Sequence, residues 1–128
     1  MLRLATAAFA AFLIVHGLIH LMGTTVYMKL GQIKGLPYKT TLLGGRWQVG
    51  EEGIRVFGAL WLVPTLGFVL AGSALLANVS GWAPLAVGAA LVSLALSALD
   101  LKAAFAGALL NVLILTIAWA STTIKVTR

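Results

Sequence analysis

The chain contains no cysteine, and charge is nearly as scarce: Asp, Glu, Lys and Arg make up 9% of its 128 residues, against about 25% in an ordinary soluble domain. The missing cysteine excludes disulfides, thiolate metal sites, covalent c-type haem attachment and cysteine-nucleophile chemistry. The scarcity of charge excludes a water-soluble globule, because too few solvating side chains are present to build its surface. Acids are rarest of all, with three Asp and Glu against nine Lys and Arg. What fills the chain instead is apolar: 61% hydrophobic residues and a mean hydropathy of +1.05. A bilayer-spanning helix needs roughly 20 such residues, so this length accommodates four spans and one real loop but no separate soluble domain. The net charge of +6 would direct a soluble protein to nucleic acid. Beside so much apolar sequence the same cations are loop residues facing phospholipid headgroups. Membrane lipids, and no nucleic acid, are therefore the expected partners.

The first apolar run, about 2–27, begins with Arg3 like a secretory signal. It is too long for one, and it carries His16 and His20 where a small-residue cleavage site would stand, so it reads as a retained first span. Residues 29–50 form the loop, with Lys29, Lys34, Lys39 and Arg46 among breaks at Gly31, Gly35, Pro37 and Gly44-Gly45. The second span, about 51–77, holds Pro64, which predicts a kink. Asn78 to Gly81 is a tight turn, the third span covers about 82–99, Asp100-Leu101-Lys102 is a short turn, and the fourth span is about 103–120 before a polar tail from Ser121 to Arg128. None of these runs alternates with the period of two that a barrel strand requires. The expected fold is all-α: a polytopic membrane protein with four transmembrane helices in an antiparallel bundle.

Both termini then lie on one face, side A, and the long loop on the other, side B. Trp82 and Trp119 fall at side A and Tyr27, Tyr38 and Trp47 at or beyond side B, as interfacial aromatic belts predict. Side B also carries Lys29, Lys34, Lys39, Arg46 and Lys102, whereas side A has Arg3, Lys125 and Arg128. The count favours a cytoplasmic loop, and the setting expected is a prokaryotic cytoplasmic membrane.

Ionisable groups inside a membrane mark sites, because burying them in hydrocarbon costs a few kcal/mol. At 1.5 Å per residue from the side B boundary, His20 lies about 10 Å deep, His16 about 16 Å and Asn111 about 12 Å. The second span enters from the same side with Glu51, Glu52 and Arg55, and the third ends there with Ser93, Ser97 and Asp100 on one stripe. All four spans thus bring polar groups to the side B half. His16 and His20, four residues apart, share a helix face. This spacing opposes a bis-His haem, whose axial ligands approach from opposite sides of the iron. It allows a non-haem metal site on His16, His20 and Glu51, with Glu52 or Asp100 as other carboxylates. A proton relay and an acid-base pair acting on a lipophilic substrate are the other readings.

Structural roles stand beside each of these. The two histidines can serve as interhelical hydrogen-bonding groups. Glu51 and Glu52 complement the helix dipole at the start of the second span, and Arg55 is expected to pair with Glu51 or Asp100. Asp100 can cap the fourth helix. Asn111 follows Ala104 and Gly107 on one small-residue face, which places its amide inside the bundle. Ser93 and Ser97 are expected to bond their own helix or a neighbour, and mid-span Trp61 either packs or walls an apolar cavity.

The arrangement resembles the DoxX-like group of small four-helix membrane proteins. The resemblance rests on His16-Gly17 in the first span, the glycines Gly44-Gly45 in the loop, and Gly50-Glu51-Glu52-Gly53 followed by Gly58 at the opening of the second span. It implies an inner-membrane protein, in some members linked to quinone-dependent oxidation of sulfur compounds, with His16 and Glu51 or Glu52 as the matching positions.

Together these readings favour an intramembrane pocket that binds a small lipophilic or quinone-like molecule. His16, His20 and Glu51 are the candidate catalytic residues, and Arg55, Asp100, Asn111 and Trp61 the ligand-binding ones. Arg55 and Lys102 would hold an acidic or carbonyl group. The alternatives are a non-catalytic accessory or scaffold subunit of a membrane complex, and proton or ion movement through a homo-oligomer.

Overall fold

The computed structural model describes residues 2–126. Its helices are α1 (Leu2–Ile19), α2 (Leu21–Tyr27), α3 (Gly50–Leu60), α4 (Leu62–Leu76), α5 (Trp82–Leu99) and α6 (Leu101–Val126). Taken as α1 with α2, α3 with α4, α5, and α6, they make four segments long and apolar enough to cross a membrane. The chain is an all-α, four-helix integral membrane protein.

Three of the four spans depart from a continuous helix, the fourth by a kink at Ala104 near its start. In the first, the His20 N–H bonds the Gly17 carbonyl and the Gly23 N–H bonds the His20 carbonyl, a locally tightened i to i−3 pattern that no proline or other breaker announces. In the second, the interruption falls at Trp61, one turn before Pro64. Pro64 has no N–H to offer the Leu60 carbonyl, and its ring presses on that same group. Thr65 secures the joint by donating its hydroxyl to the Trp61 carbonyl at 2.8 Å.

The turn expected at residues 100–102 shrinks to Asp100, whose carbonyl accepts the N–H groups of Ala103 and Ala104. α6 thus opens with a short turn from Leu101, kinks at Ala104 (φ −113°, ψ 18°) and continues through Val126, so the tail is helical over its described part. Arg128 lies outside the described residues, as does the Lys125 side chain. At the other end of the α4–α5 hairpin, Val79 N–H bonds Ala74 O and Asn78 N–H bonds Leu75 O, with Asn78 at φ 57°. This is a Schellman closure with asparagine in the left-handed position.

α1 packs along α4, α4 along α5, α5 along α6, and α2 along α3. Close approach is set by missing side chains: a Cβ on Gly17 would lie 2.9 Å from Phe68 Cβ and 3.0 Å from the Thr65 carbonyl, and one on Gly67 would lie 2.7 Å from Ala89 Cβ. Small residues at such crossings substitute for the hydrophobic drive that lipid cannot supply. The side A half of the bundle is filled by Leu13, Phe68, Ala71, Ala86, Ala89, Ala90 and Ile114. A second cluster, Val26, Tyr27, Leu42, Ile54, Phe57, Trp61 and Leu96, lies toward side B.

Leu42 in that cluster belongs to the loop, which is a folded cap. Strands β1 (Thr41–Leu42) and β2 (Trp47–Gln48) pair antiparallel, Thr41 with Gln48 and Leu42 with Trp47, around a 3-10 turn over Leu43–Gly45. Gly44 and Gly45 adopt φ of 65° and 91° there, a region glycine enters without steric cost. Of the aromatics expected in a side B belt, Trp47 and Tyr38 are exposed, but Tyr27 is buried. Its ring faces inward because it continues the inward stripe of the first span, against Phe57.

Candidate functional site

His16 and His20 project from α1 and the joint after it, and their ring centroids lie 4.7 Å apart, edge to face. His16 Nε2 is 3.1 Å from Asn111 Oδ1, Asn111 Nδ2 donates to Ser93 Oγ at 2.7 Å, and Ser93 Oγ is 2.6 Å from His20 Nε2. All four residues are buried. The directions follow from valence. Asn111 Oδ1 can only accept, so His16 carries its proton on Nε2. Ser93 Oγ accepts from Asn111 and meets His20 Nε2 with its remaining proton or its second lone pair, according to the His20 tautomer. The result is a hydrogen-bonded chain joining α1, α6 and α5.

Above this chain, toward side B, a cavity of about 380 Å³ opens between the first and fourth spans. His16, His20 and Trp61 form its inner wall with Ser97 and Asp100. Tyr27 and Gly23 continue the first-span side, and Lys34, Gly35 and Leu36 of the cap form a roof. The outer lip is Ile19 and Met22 on one side and Ala103, Ala106 and Gly107 on the other. Ile19, Met22, Ala103 and Ala106 are exposed, so the mouth faces what the apolar helix surfaces face. Volumes of this order are typical of small-ligand sites.

Asp100 is buried at the top of the wall. Its two carboxylate oxygens divide their partners: Oδ2 accepts from the Tyr27 hydroxyl and Oδ1 pairs with the Lys39 ammonium from the cap. The expected capping role passes to its backbone carbonyl, leaving the carboxylate free for these contacts. The only charge on the inner wall among the described residues is thus already neutralised, and Lys34 is a further cation at the exposed roof.

No family model, curated protein or solved structure matches the chain. The reading of the site therefore rests on its own geometry.

Five of the seven residues expected to form the pocket come together: His16, His20, Trp61 and Asp100 on the wall, and Asn111 immediately beneath it through His16. Glu51 and Arg55 do not join them. Glu51 is exposed and pairs with Lys29 at 2.8 Å, and Arg55 is exposed and approaches Glu52 at 3.4 Å. The expected pairing of Arg55 with Glu51 or Asp100 is corrected accordingly. Glu52 and Arg55 lie on the side of α3 away from Ile54 and Phe57. Glu51 shares a stripe with Ile54 and Gly58 but sits in the first turn, where it reaches Lys29 just beyond α2 rather than the cavity. Lys102 is likewise exposed and does not line the cavity. The carboxylate needed beside His16 and His20 for a metal is thereby displaced, and no group of three or more His, Asp or Glu able to hold a metal occurs among the described residues. Glu51 raises the pKa of Lys29 by its hydrogen bond and its charge, at the membrane surface and away from the cavity.

Tyr27, Lys34, Lys39 and Ser97 belong to the site without having been singled out for it. A signal existed for Tyr27, which continues His16, His20 and Gly23 at helical spacing, and for Ser97, which shares a stripe with Ser93 and Asp100. None existed for Lys34 or Lys39, whose positions depend on how the cap folds.

Proposed function

We propose that the protein binds a small lipophilic, quinone-like molecule in the cavity between its first and fourth spans, and that His16 and His20 contact it and exchange protons with it. The observation that carries this reading is the cavity itself, a mostly apolar cleft whose deep wall holds two imidazoles linked to hydrogen-bonding side chains. An imidazole can give a proton at one ring nitrogen and take one at the other. The DoxX-like resemblance adds the expectation of quinone-linked chemistry, now centred on His16 rather than on the outward Glu51 or Glu52.

The test uses the full chain purified in detergent with a short-chain benzoquinone. A rise in thermal stability with the quinone, lost in His16→Ala and in His20→Ala, is the expected result. An equal rise in wild type and both variants would remove the histidines from the site. No rise in any of them, with native mass spectrometry showing no co-purified lipophile, would remove the site itself.

A second reading is an accessory subunit in which the His16–Asn111–Ser93–His20 chain only fastens helices. Its support is that the chain satisfies its members without a ligand. A stoichiometric co-purified partner, whose assembly fails in the histidine variants while no ligand binds, would favour it. Proton or ion movement finds less support, since the apolar cluster around Leu13, Phe68 and Ile114 fills the side A half.

The cap is proposed to face the cytoplasm of a prokaryotic cell, on the bias of Lys and Arg toward its side. Because the chain has no cysteine, Arg46→Cys provides a single thiol. Its protection from a membrane-impermeant maleimide in intact cells, and reaction after lysis, is the outcome that agrees.

A further inference from the structure

Two buried polar atoms have no hydrogen-bond partner among the described residues, Trp61 Nε1 and Ser97 Oγ, and both residues line the same cavity. Neither atom is stranded by accident of a loose surface. The indole is held by Phe57 and His20 at centroid distances of 5.8 and 5.2 Å. It also lies against Gly23, where a Cβ would meet Trp61 Nε1 at 3.2 Å, so the glycine is what admits the N–H edge of the ring beside α2. The helix joint created by Pro64 falls on Trp61 itself and sets the direction of the ring. Ser97 is 1% exposed. Other buried hydroxyls nearby are satisfied: Ser93 within the histidine chain, Thr24 by the Gly58 carbonyl and Thr65 by the Trp61 carbonyl.

Buried donors without partners are rare in folded proteins, and each one needs an explanation. An indole N–H can only donate, and a serine hydroxyl donates as well. What both lack is an acceptor. The other polar groups on the wall have partners: His16 and His20 are tied to Asn111 and Ser93, and Asp100 is engaged by Tyr27 and Lys39. A carboxylate would have to part from water to reach them with no buried cation in reserve, whereas an uncharged carbonyl brings acceptor lone pairs at little desolvation cost. The mouth, bordered by Ile19, Met22, Ala103 and Ala106, opens through the apolar surface, and the volume suits one compact headgroup with any chain trailing outward.

The geometry points to Trp61 and Ser97 as the recognition pair for the carbonyl oxygen of an uncharged lipophile that enters sideways from the bilayer between the first and fourth spans. The inference rests on the cavity being a ligand site, as proposed above, and adds the residues and the ligand chemistry that decide specificity.

The experiment takes the full chain, labelled with ¹⁵N-indole tryptophan, in dodecyl maltoside, a detergent with no carbonyl. The Trp61 resonance is assigned among the four tryptophans by its absence in Trp61→Phe. The probes are 2-undecanone, undecane and decanoate. The expected result is a downfield shift of the Trp61 N–H with 2-undecanone and none with undecane. The ketone should bind more tightly than the alkane, and that advantage should fall by about 3- to 10-fold in Ser97→Ala or Trp61→Phe, the range for one hydrogen bond. Equal binding of ketone and alkane, with the Trp61 signal unmoved, would overturn the recognition pair while leaving a lipophile site in place. Tighter binding of decanoate than of the ketone, lost in Lys34→Ala, would overturn the uncharged class. Failure of all three probes and of the benzoquinone would bring down the ligand site as well.

Discussion

Asn111 uses both ends of its amide, receiving the His16 proton on Oδ1 and donating from Nδ2 to Ser93. Truncating it strands a buried N–H on His16 and loosens Ser93 against His20 at once. Asn111→Ala is expected to lower stability by about 1–3 kcal/mol, the range for losing buried hydrogen bonds within membrane bundles, measured by unfolding in mixed detergent. A change no larger than that of Thr116→Ala, whose hydroxyl bonds only its own helix at Val112, would show that the amide is not a keystone. The residue's importance was legible in the sequence, because polar groups deep in an apolar run must find one another. The identities of its partners were not, since they depend on helix rotation. Lys29 gives the contrasting surface case. Its pKa is raised by Glu51, so any stability the pair lends is complete below the ordinary lysine value of about 10.5 and is lost as pH rises through the elevated one. Glu51→Gln should erase that alkaline step in a thermal scan and change nothing at neutral pH that ligand binding would report.

At the scale of helices, contrasting glycines give opposite expectations. Gly17 faces the backbone of α4, where an added methyl would meet Phe68 Cβ and the Thr65 carbonyl within 3.0 Å, and a main-chain atom cannot swing aside. Gly17→Ala is expected to destabilise the bundle by about 1–3 kcal/mol through overpacking. Gly107 lines the cavity, and its added Cβ would meet nothing within 4 Å. Gly107→Ala should therefore be neutral or stabilising by up to about 1 kcal/mol from helix propensity. Gly107→Leu should keep the fold and weaken binding of both ketone and alkane by filling the mouth. Thermal scans with and without 2-undecanone separate the two effects, and unchanged binding in Gly107→Leu would place the entrance elsewhere. The four spans were legible from hydropathy alone, and Pro64 announced its break to within one turn. The joint at His20 had no local signal, because a 3-10 tightening within an apolar helix is chosen by packing rather than by residue type. Glu51 and Arg55 fall outside the pocket for a related reason: a helix start can be recognised from sequence, but which groups its first turns meet depends on the neighbours.

For the molecule as a whole, the cap is fastened to the bundle by a buried carboxylate as well as by the apolar packing of Leu42. Lys39 descends from the loop to Asp100, between α5 and α6, and Tyr27 at the end of the first span binds the other carboxylate oxygen. Loop and three spans thus share one carboxylate, and the roof residues Lys34, Gly35 and Leu36 lie a few positions along the chain from the fastening. Removing only the cation leaves a buried carboxylate with a single neutral partner, which costs more than removing both charges together. The Lys39 side chain keeps 31% of its exposure, so the effect lies between that of a surface pair and that of a fully enclosed one. Lys39→Met is expected to cost about 1–3 kcal/mol and to release the cap, seen as faster tryptic cleavage after Lys34 and Arg46 with the spans intact. Asp100→Asn still accepts from Tyr27 and leaves a lysine able to reach water, so it should loosen the cap less. The double variant Lys39→Met, Asp100→Asn should return cleavage toward the wild-type rate, since neither unpaired charge remains. Additive acceleration in the double variant would mean that the two residues act separately and that the cap is held by Leu42 and its apolar neighbours alone. If the cap is released in Lys39→Met while 2-undecanone binds as before, the roof is dispensable to the ligand, which then depends only on the wall between the helices.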